Sequence, residues 1–229
     1  MNLKPLFLAV ALMLFVYGVS FSHEETAEFY YNRGRENFEN CAYHYAMEDY
    51  SRALQLKPDY AEALNGRGEI YRNVDEYEAA ERDFSAAITV NPKYEKAYIN
   101  RGRLYKTAGR YDMAIADFTK ALELNPSLSE LEEEIADLYL CQGTDKSEIR
   151  DITGAIRDLT LACLHNPENA ESWYRLGVLF LYLGDIANAE ACFLEMHNIL
   201  EKKQKPESFF ALLGKSKSFS YINIMEECI

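Results

Sequence analysis

Residues 95–128 read EKAYINRGRLYKTAGRYDMAIADFTKALELNPSL and decide the fold of the chain. Gly102 in this stretch is preceded by Gly68 and Gly34, each separated from the next by 34 residues. Four further classes of position keep the same step: Ala46, Ala80 and Ala114; Tyr50, Phe84 and Phe118; Ala53, Ala87 and Ala121; Pro58, Pro92 and Pro126. Five classes in one phase identify an internal repeat, as in arrays whose units bury their apolar faces against each other.

The repeat continues beyond Pro126 with one change in spacing. In a fourth unit Tyr139 is in phase, but Ala155 arrives seven residues late, which predicts an insertion between two helices at residues 142–154. A fifth unit regains the regular spacing around Gly177. The five units therefore span residues 27–60, 61–94, 95–128, 129–169 (with the insertion) and 170–203.

The residues inside each unit predict a pair of antiparallel helices. Small residues such as Gly68 and Ala80 let two helices approach closely, while Tyr71 and Phe84 fill the gap between units. Proline ends each second helix, because it cannot continue one. The sequence thus predicts an all-α fold.

The repeated residues resemble the tetratricopeptide repeat family, most closely in the third unit. Nine of its residues stand at family positions: Tyr98, Gly102, Tyr105, Gly109, Tyr111, Ala114, Phe118, Ala121 and Pro126. The first unit departs from the family at Asn37 and Cys41, and the second at Asp75, which replaces a turn glycine. The resemblance implies a right-handed superhelical solenoid of helix-turn-helix units.

The resemblance also implies which residues would face a ligand, since first helices line the concave face in this family. The phase of the repeat places the following residues in a peptide-binding groove: Tyr31, Arg35, Asn65, Glu69, Arg72, Asn73, Lys96, Asn100, Arg103, Lys106, Glu133, Asp137, Tyr174 and Tyr182. The predicted groove runs from basic through acidic to apolar-aromatic. It suits an extended peptide or a helix with acidic and apolar parts, with Asn65 and Asn100 bonding its backbone.

One known ligand of the family is not expected here. Members that hold carboxyl-terminal peptides of cytosolic chaperones use a set of lysine, asparagine and arginine residues. The matching positions are Tyr31, Arg35, Gly66, Lys96 and Asn100, and only Lys96 agrees. The sequence therefore does not predict that clamp.

The amino-terminal residues predict export from the cytoplasm. Residues 5–19 form an unbroken apolar run, shorter than the roughly 20 residues that span a bilayer, and small residues follow it up to Ser22. Residues 1–22 are therefore interpreted as a signal peptide, with an uncleaved membrane anchor as the alternative. Both interpretations place the remaining chain outside the cytoplasm, in a periplasm, a secretory lumen or the medium.

Composition and motifs exclude several classes of function. The chain carries 37 acidic and 24 basic residues, a net charge of −13, which disfavours binding to nucleic acid. Hydrolase, nucleotide-binding and metalloprotease motifs are missing from the sequence, and its four histidines are scattered. No enzymatic activity, cofactor or metal site is predicted.

The five cysteines allow two interpretations. They are scattered and form no CxxC motif, which favours small buried side chains, and Cys228 is expected to be a free thiol. A disulfide between Cys163 and Cys192 is the alternative in an oxidising compartment.

The sequence as a whole predicts a non-catalytic scaffold or assembly factor that binds a protein or peptide partner in the concave groove, outside the cytoplasm. Residues 204–229 are expected to supply a capping helix and a tail. The alternative is a membrane-anchored structural component that self-assembles or builds a larger envelope complex.

Overall fold

The computed structural model of the chain describes residues 25–203. Ten α-helices and no strands occur in this range. They are α1 (Ala27–Glu39), α2 (Tyr43–Leu56), α3 (Ala61–Asn73), α4 (Tyr77–Val90), α5 (Glu95–Thr107), α6 (Tyr111–Leu124), α7 (Glu130–Glu148), α8 (Ile152–His165), α9 (Ala170–Tyr182) and α10 (Ile186–Lys203). The predicted signal peptide and the predicted capping helix lie outside the described residues.

The helices fall into two compact units divided after Tyr94. The first unit contains α1–α4 and the second contains α5–α10. In both units a first and a second helix of each repeat pack together as a hairpin, and each predicted repeat supplies one hairpin. The all-α repeat fold predicted from the 34-residue step is confirmed.

Proline sets the end of four second helices. α2, α4, α6 and α8 end two residues before Pro58, Pro92, Pro126 and Pro167, respectively. The intervening residue leaves the helical conformation in every case, with φ between −142° and −133° and ψ between 84° and 91°. A residue that precedes proline is pushed toward extended backbone, so the sequence fixes these helix ends.

Each hairpin closes on a glycine that lies against a large side chain of its partner helix. A Cβ atom at Gly102 would lie 2.6 Å from Cε1 of Phe118, and one at Gly68 would lie 2.7 Å from Cε1 of Phe84. Both rings are fully buried. Because no side chain fits at such a distance, only glycine lets the helices come this close.

A second link joins the helices of the first three hairpins. Arg67 Nε donates to Asp83 Oδ2 at 2.7 Å, and Arg101 Nη2 donates to Asp117 Oδ1 at 2.8 Å. The first hairpin has the same bond, between Arg33 and Asp49. These aspartates are buried, and a buried carboxylate requires such a charged partner. The hydrogen bond to Asp83 raises the pKa of Arg67 above its ordinary value.

The fourth repeat accommodates its extra residues in an unpredicted place. α7 has 19 residues against 13 in the other first helices, so the predicted insertion between two helices is wrong. Gly143 lies against Leu159 at the same separation along the chain that joins Gly102 to Phe118. The seven extra residues of the repeat therefore precede Gly143, at residues 129–135 when counted from the start of the unit, and Leu131 and Ile135 among them are fully buried. Seven residues make about two helical turns, so the added stretch leaves the packing face in register.

The turns inside the five hairpins share one left-handed residue. This residue is Cys41, Asp75, Gly109, Arg150 or Gly184, with φ between 58° and 76°. Glycine adopts this conformation without strain, whereas other residue types pay roughly 1 kcal/mol or more. Three of the five turns thus carry a residue that the backbone disfavours.

Replacing the strained residue in the fourth hairpin should stabilise the chain. We expect Arg150→Gly to raise the free energy of unfolding by about 1 kcal/mol, because the exposed Arg150 sits at φ 64°. Gly184→Ala is the matched control and should lower it by a similar amount, since a Cβ there meets no atom within 4 Å and only the backbone is strained. Urea unfolding followed by circular dichroism measures both, and a destabilised Arg150→Gly variant would contradict the argument.

Candidate functional site

The first unit brings four of its predicted groove residues together. The Tyr31 ring packs against Tyr60 at 5.0 Å and Tyr50 at 6.0 Å between ring centres. Burial raises the pKa of Tyr31, while Arg35 lowers it and Glu69 raises it, so both charges lie near the phenol. Asn65 Nδ2 donates to Glu69 Oε1 at 2.6 Å, one helical turn away.

The asparagines expected to bond a peptide backbone occupy a different environment from the predicted one. Asn65 is 3% exposed and Asn100 is 8% exposed, and each is packed within its own unit. The phase of the repeat did not predict the depth at which either side chain lies. Their role as ligands for a peptide stays a prediction.

The last two predicted residues of the first unit lie at the end of α3. Arg72 is half-buried and Asn73 is exposed. The pKa of Tyr43, on α2, is raised first by a hydrogen bond with Cys41 and is lowered by one with Asn73. Asn73 therefore lies beside the turn of the first hairpin.

In the second unit two predicted basic residues share one carboxylate. Arg103 Nη2 donates to Glu134 Oε1 at 3.0 Å, and Lys106 Nζ lies 3.4 Å from Glu134 Oε2. The Glu134 side chain is 23% exposed, while those of Arg103 and Lys106 are 45% and 38% exposed. Glu134 belongs to the seven extra residues of the fourth repeat, so the added stretch places an acid against the cations of α5.

The other predicted charges of the second unit are spread along α5 and α7. Lys96 and Glu133 are exposed, and among residues 25–203 neither forms an ion pair. Asp137 is half-buried and lies near Cys141, whose pKa is raised by burial first and by Asp145 and Asp137 after it. Lys106 lowers the pKa of the same thiol, so charges of opposite sign lie close to Cys141 on this face of α7.

The predicted aromatic end of the groove divides in two. Tyr182 is 67% exposed near the end of α9. Tyr174 is 38% exposed, packs near Phe193 at 6.2 Å between ring centres, and lines a cavity of about 130 Å³. Leu159 of α8 and Gly143 of α7, which lie against each other, also line this cavity.

Two residues of this surface were missed by sequence reasoning. Glu134 was not singled out, although it precedes the predicted insertion at residues 142–154 and already belonged to the predicted first helix of the fourth unit. Leu159 was read as keeping the phase of the repeat. The sequence feature that could have identified Leu159 is the absence of the aromatic ring that the other repeats carry at this position.

Family models match four stretches of the chain. A tetratricopeptide repeat model matches residues 61–94 and 95–128, a TPR repeat model matches residues 42–75, and a further tetratricopeptide repeat model matches residues 170–195. The chain is a tetratricopeptide repeat protein. No curated protein sequence matches it.

Solved structures of the same fold are similar over most of this tetratricopeptide repeat protein. The TPR protein YrrB has 20% identity and a TM-score of 0.56, covering 82% of this chain and 91% of its own. A MamA protein has 17% identity and a TM-score of 0.56, with coverages of 85% and 99%. MamA 41-end from Desulfovibrio magneticus RS-1 has 15% identity and a TM-score of 0.53, with coverages of 80% and 98%. These likenesses establish the fold alone.

Two further properties concern membrane crossing and metal binding in the part of the chain that the structure describes. No helix between residues 25 and 203 is long and apolar enough to cross a membrane. In the same range, histidine, cysteine, aspartate and glutamate side chains do not gather in threes as they would around a metal ion.

The cysteines of the described range occupy two kinds of environment. Cys163 and Cys192 are buried free thiols in one apolar cluster, as the first interpretation predicted. Burial raises their pKa to about 12 and about 11, respectively. Cys41 and Cys141 are exposed, so the prediction of burial is wrong for them. Cys228 lies outside the described residues.

Thiol labelling separates these environments. In a Cys228→Ser chain at about pH 8, we expect Cys41 to react first with Ellman's reagent and Cys141 more slowly, since its pKa is raised. The thiols of Cys163 and Cys192 should react only after unfolding, because they are buried and stay protonated at this pH. Two thiols that remain unreactive in denaturant until a reductant is added would instead establish the Cys163–Cys192 disulfide.

Proposed function

We propose that this tetratricopeptide repeat protein is a non-catalytic interaction module that binds an acidic and apolar segment of a protein partner on its first helices. The repeat fold supports this, since it leaves the first helices with charged and aromatic residues that the hairpin core does not use. The structural relative YrrB is described as having an unusual peptide-binding site, which makes peptide binding by this fold a precedent.

The contact of Arg103 and Lys106 with Glu134 carries the proposal. Two cations of α5 converge on one carboxylate that comes from a different repeat. An arginine fork beside an ammonium group is a general recognition geometry for carboxylates. The surface therefore binds an acid already, and a partner's acidic side chain would compete with Glu134 for the same donors. Because all three side chains are partly exposed, each such pair is worth only about 1 kcal/mol or less.

Charge reversal on α5 tests this surface. We expect the double variant Arg103→Glu and Lys106→Glu to lose partners that the wild-type chain captures by proximity labelling in its native host. The matched control reverses Lys120 and Lys202, which lie on second helices and form exposed ion pairs with Glu123 and Glu168. The control should keep the partners, because its charges lie off the proposed surface.

Removing the charge of Glu134 should have the opposite effect on partner binding. Glu134→Gln removes the competing carboxylate from Arg103 and Lys106, so recovery of the same partners should rise about two- to fivefold. Identical partner sets for wild type, the α5 double variant and Glu134→Gln would mean that binding uses another surface. Circular dichroism of each variant confirms that the helices are intact.

We also propose that the module acts outside the cytoplasm. The proposal is supported by the apolar run at residues 5–19 and by the small residues before His23. The intact mass of the protein recovered from its host should lack about the first 22 residues. A full-length mass in the membrane fraction, with concentration-dependent light scattering, would instead favour the anchored and self-assembling alternative.

A further inference from the structure

The cavity of the second unit lies between the first helices of the fourth and fifth repeats. It encloses about 130 Å³. Leu159 and Leu179 supply apolar surface, Gly143 adds no side chain, and Val178 and Tyr174 form the wall on α9. Thr144, Ser147 and Arg175 complete the lining with polar groups. The lining of the cavity thus combines apolar surface with hydroxyl and guanidinium groups.

A missing aromatic ring accounts for the cavity. In the other four hairpins the residue facing the glycine of the first helix is Tyr50, Phe84, Phe118 or Phe193. In the fourth hairpin that residue is Leu159, whose Cγ would lie 2.7 Å from a Cβ at Gly143. Leucine therefore reaches the glycine but lacks the outer ring atoms. In the first hairpin these ring atoms extend onto Gly66 of the next first helix, the position that Arg175 occupies beside the cavity.

The size of the cavity limits what it can hold. Pockets for drug-sized ligands and cofactors enclose about 300–1,000 Å³, so this cavity is too small for one. An apolar cavity of about 150 Å³ accommodates a benzene molecule. The volume and the apolar lining therefore match a single aromatic side chain.

We infer that the cavity between α7, α8 and α9 receives one aromatic side chain of a bound protein segment, which supplies the ring that the fourth repeat lacks. The inference rests on the proposed function and deepens it by naming an anchor residue. A buried aromatic anchor in a preformed pocket is a common source of affinity in protein interfaces. Tyr174, which the sequence placed in the groove, is the aromatic wall of this pocket.

Titration with a minimal probe tests the inference on the intact chain. The probe is N-acetyl-L-phenylalaninamide, and N-acetyl-L-alaninamide is the control probe without a ring. Carbon-13 methyl spectra report on Leu159, Val178 and Leu179. We expect saturable shifts of these methyl groups by the phenylalanine probe, with a dissociation constant of about 1–10 mM, and no saturable shift by the alanine probe.

Restoring the ring should close the cavity. Leu159→Phe introduces the residue type that three other repeats carry here, at Phe84, Phe118 and Phe193. It should lower the affinity for the phenylalanine probe at least about tenfold. Leu164→Phe is the matched control, because Leu164 lies on the same helix and is 71% exposed. It should bind the probe as the wild type does. If Leu159→Phe fails to fold, Val178→Leu narrows the same cavity from α9.

Two results would overturn the inference: wild-type methyl groups that do not saturate with the phenylalanine probe, or saturable shifts that persist unchanged in a folded cavity-filling variant. The outcome is independent of the charge test on α5. If the probe binds but charge reversal on α5 does not change the captured partners, the charged surface is not part of the function and the inference about the cavity is retained. Partner loss without probe binding would do the reverse.

Discussion

The close approach of two helices at a glycine is the constraint on which every hairpin depends. The partner side chain lies where a Cβ would be, at 2.6–2.9 Å, in all five repeats. Such a distance leaves no room for a side chain, so the glycine cannot be replaced while the hairpin keeps its spacing. The 34-residue step of the sequence is thus the repetition of one contact, and the helix ends and turns follow at fixed distances from it.

Variation around that contact explains how the repeats differ from one another. In the first three hairpins the residue before the glycine is an arginine that neutralises a buried aspartate of the second helix. In the fifth hairpin the corresponding residues are Leu176 and Cys192, both buried, so an apolar contact replaces the ion pair. A buried ion pair can be exchanged for well-packed apolar residues at little cost, provided that both partners change together. In the fourth hairpin Asp158 keeps its charge and takes Lys146 and Arg157 as partners.

The same contact sets the limit of what the sequence could predict. The fold was predictable because glycine, ring and proline each obey a local steric rule whose period is visible in one chain. The depth of Asn65 and the partner of Arg103 were not predictable, since they depend on which side chains a neighbouring helix presents. The lengthening of α7 was not predictable for a related reason: a delay of seven residues is compatible with a loop and equally with two more helical turns. The unbroken length of α7 and the Gly143–Leu159 contact distinguish the two.

The two arginines on either side of Gly102 have different roles: one belongs to the core of the hairpin, and the other belongs to the surface proposed to bind a partner. Residues two apart on a helix point about 200° from each other, so Arg101 and Arg103, which flank Gly102, face opposite sides of α5. Arg101 is directed at Asp117 inside the hairpin, and Arg103 is directed at Glu134 on the neighbouring first helix. The inner cation compensates a buried charge and is required by the fold. The outer cation compensates a partly exposed charge. Its pairing can therefore change without disturbing the hairpin, as the proposed binding of a partner's carboxylate requires.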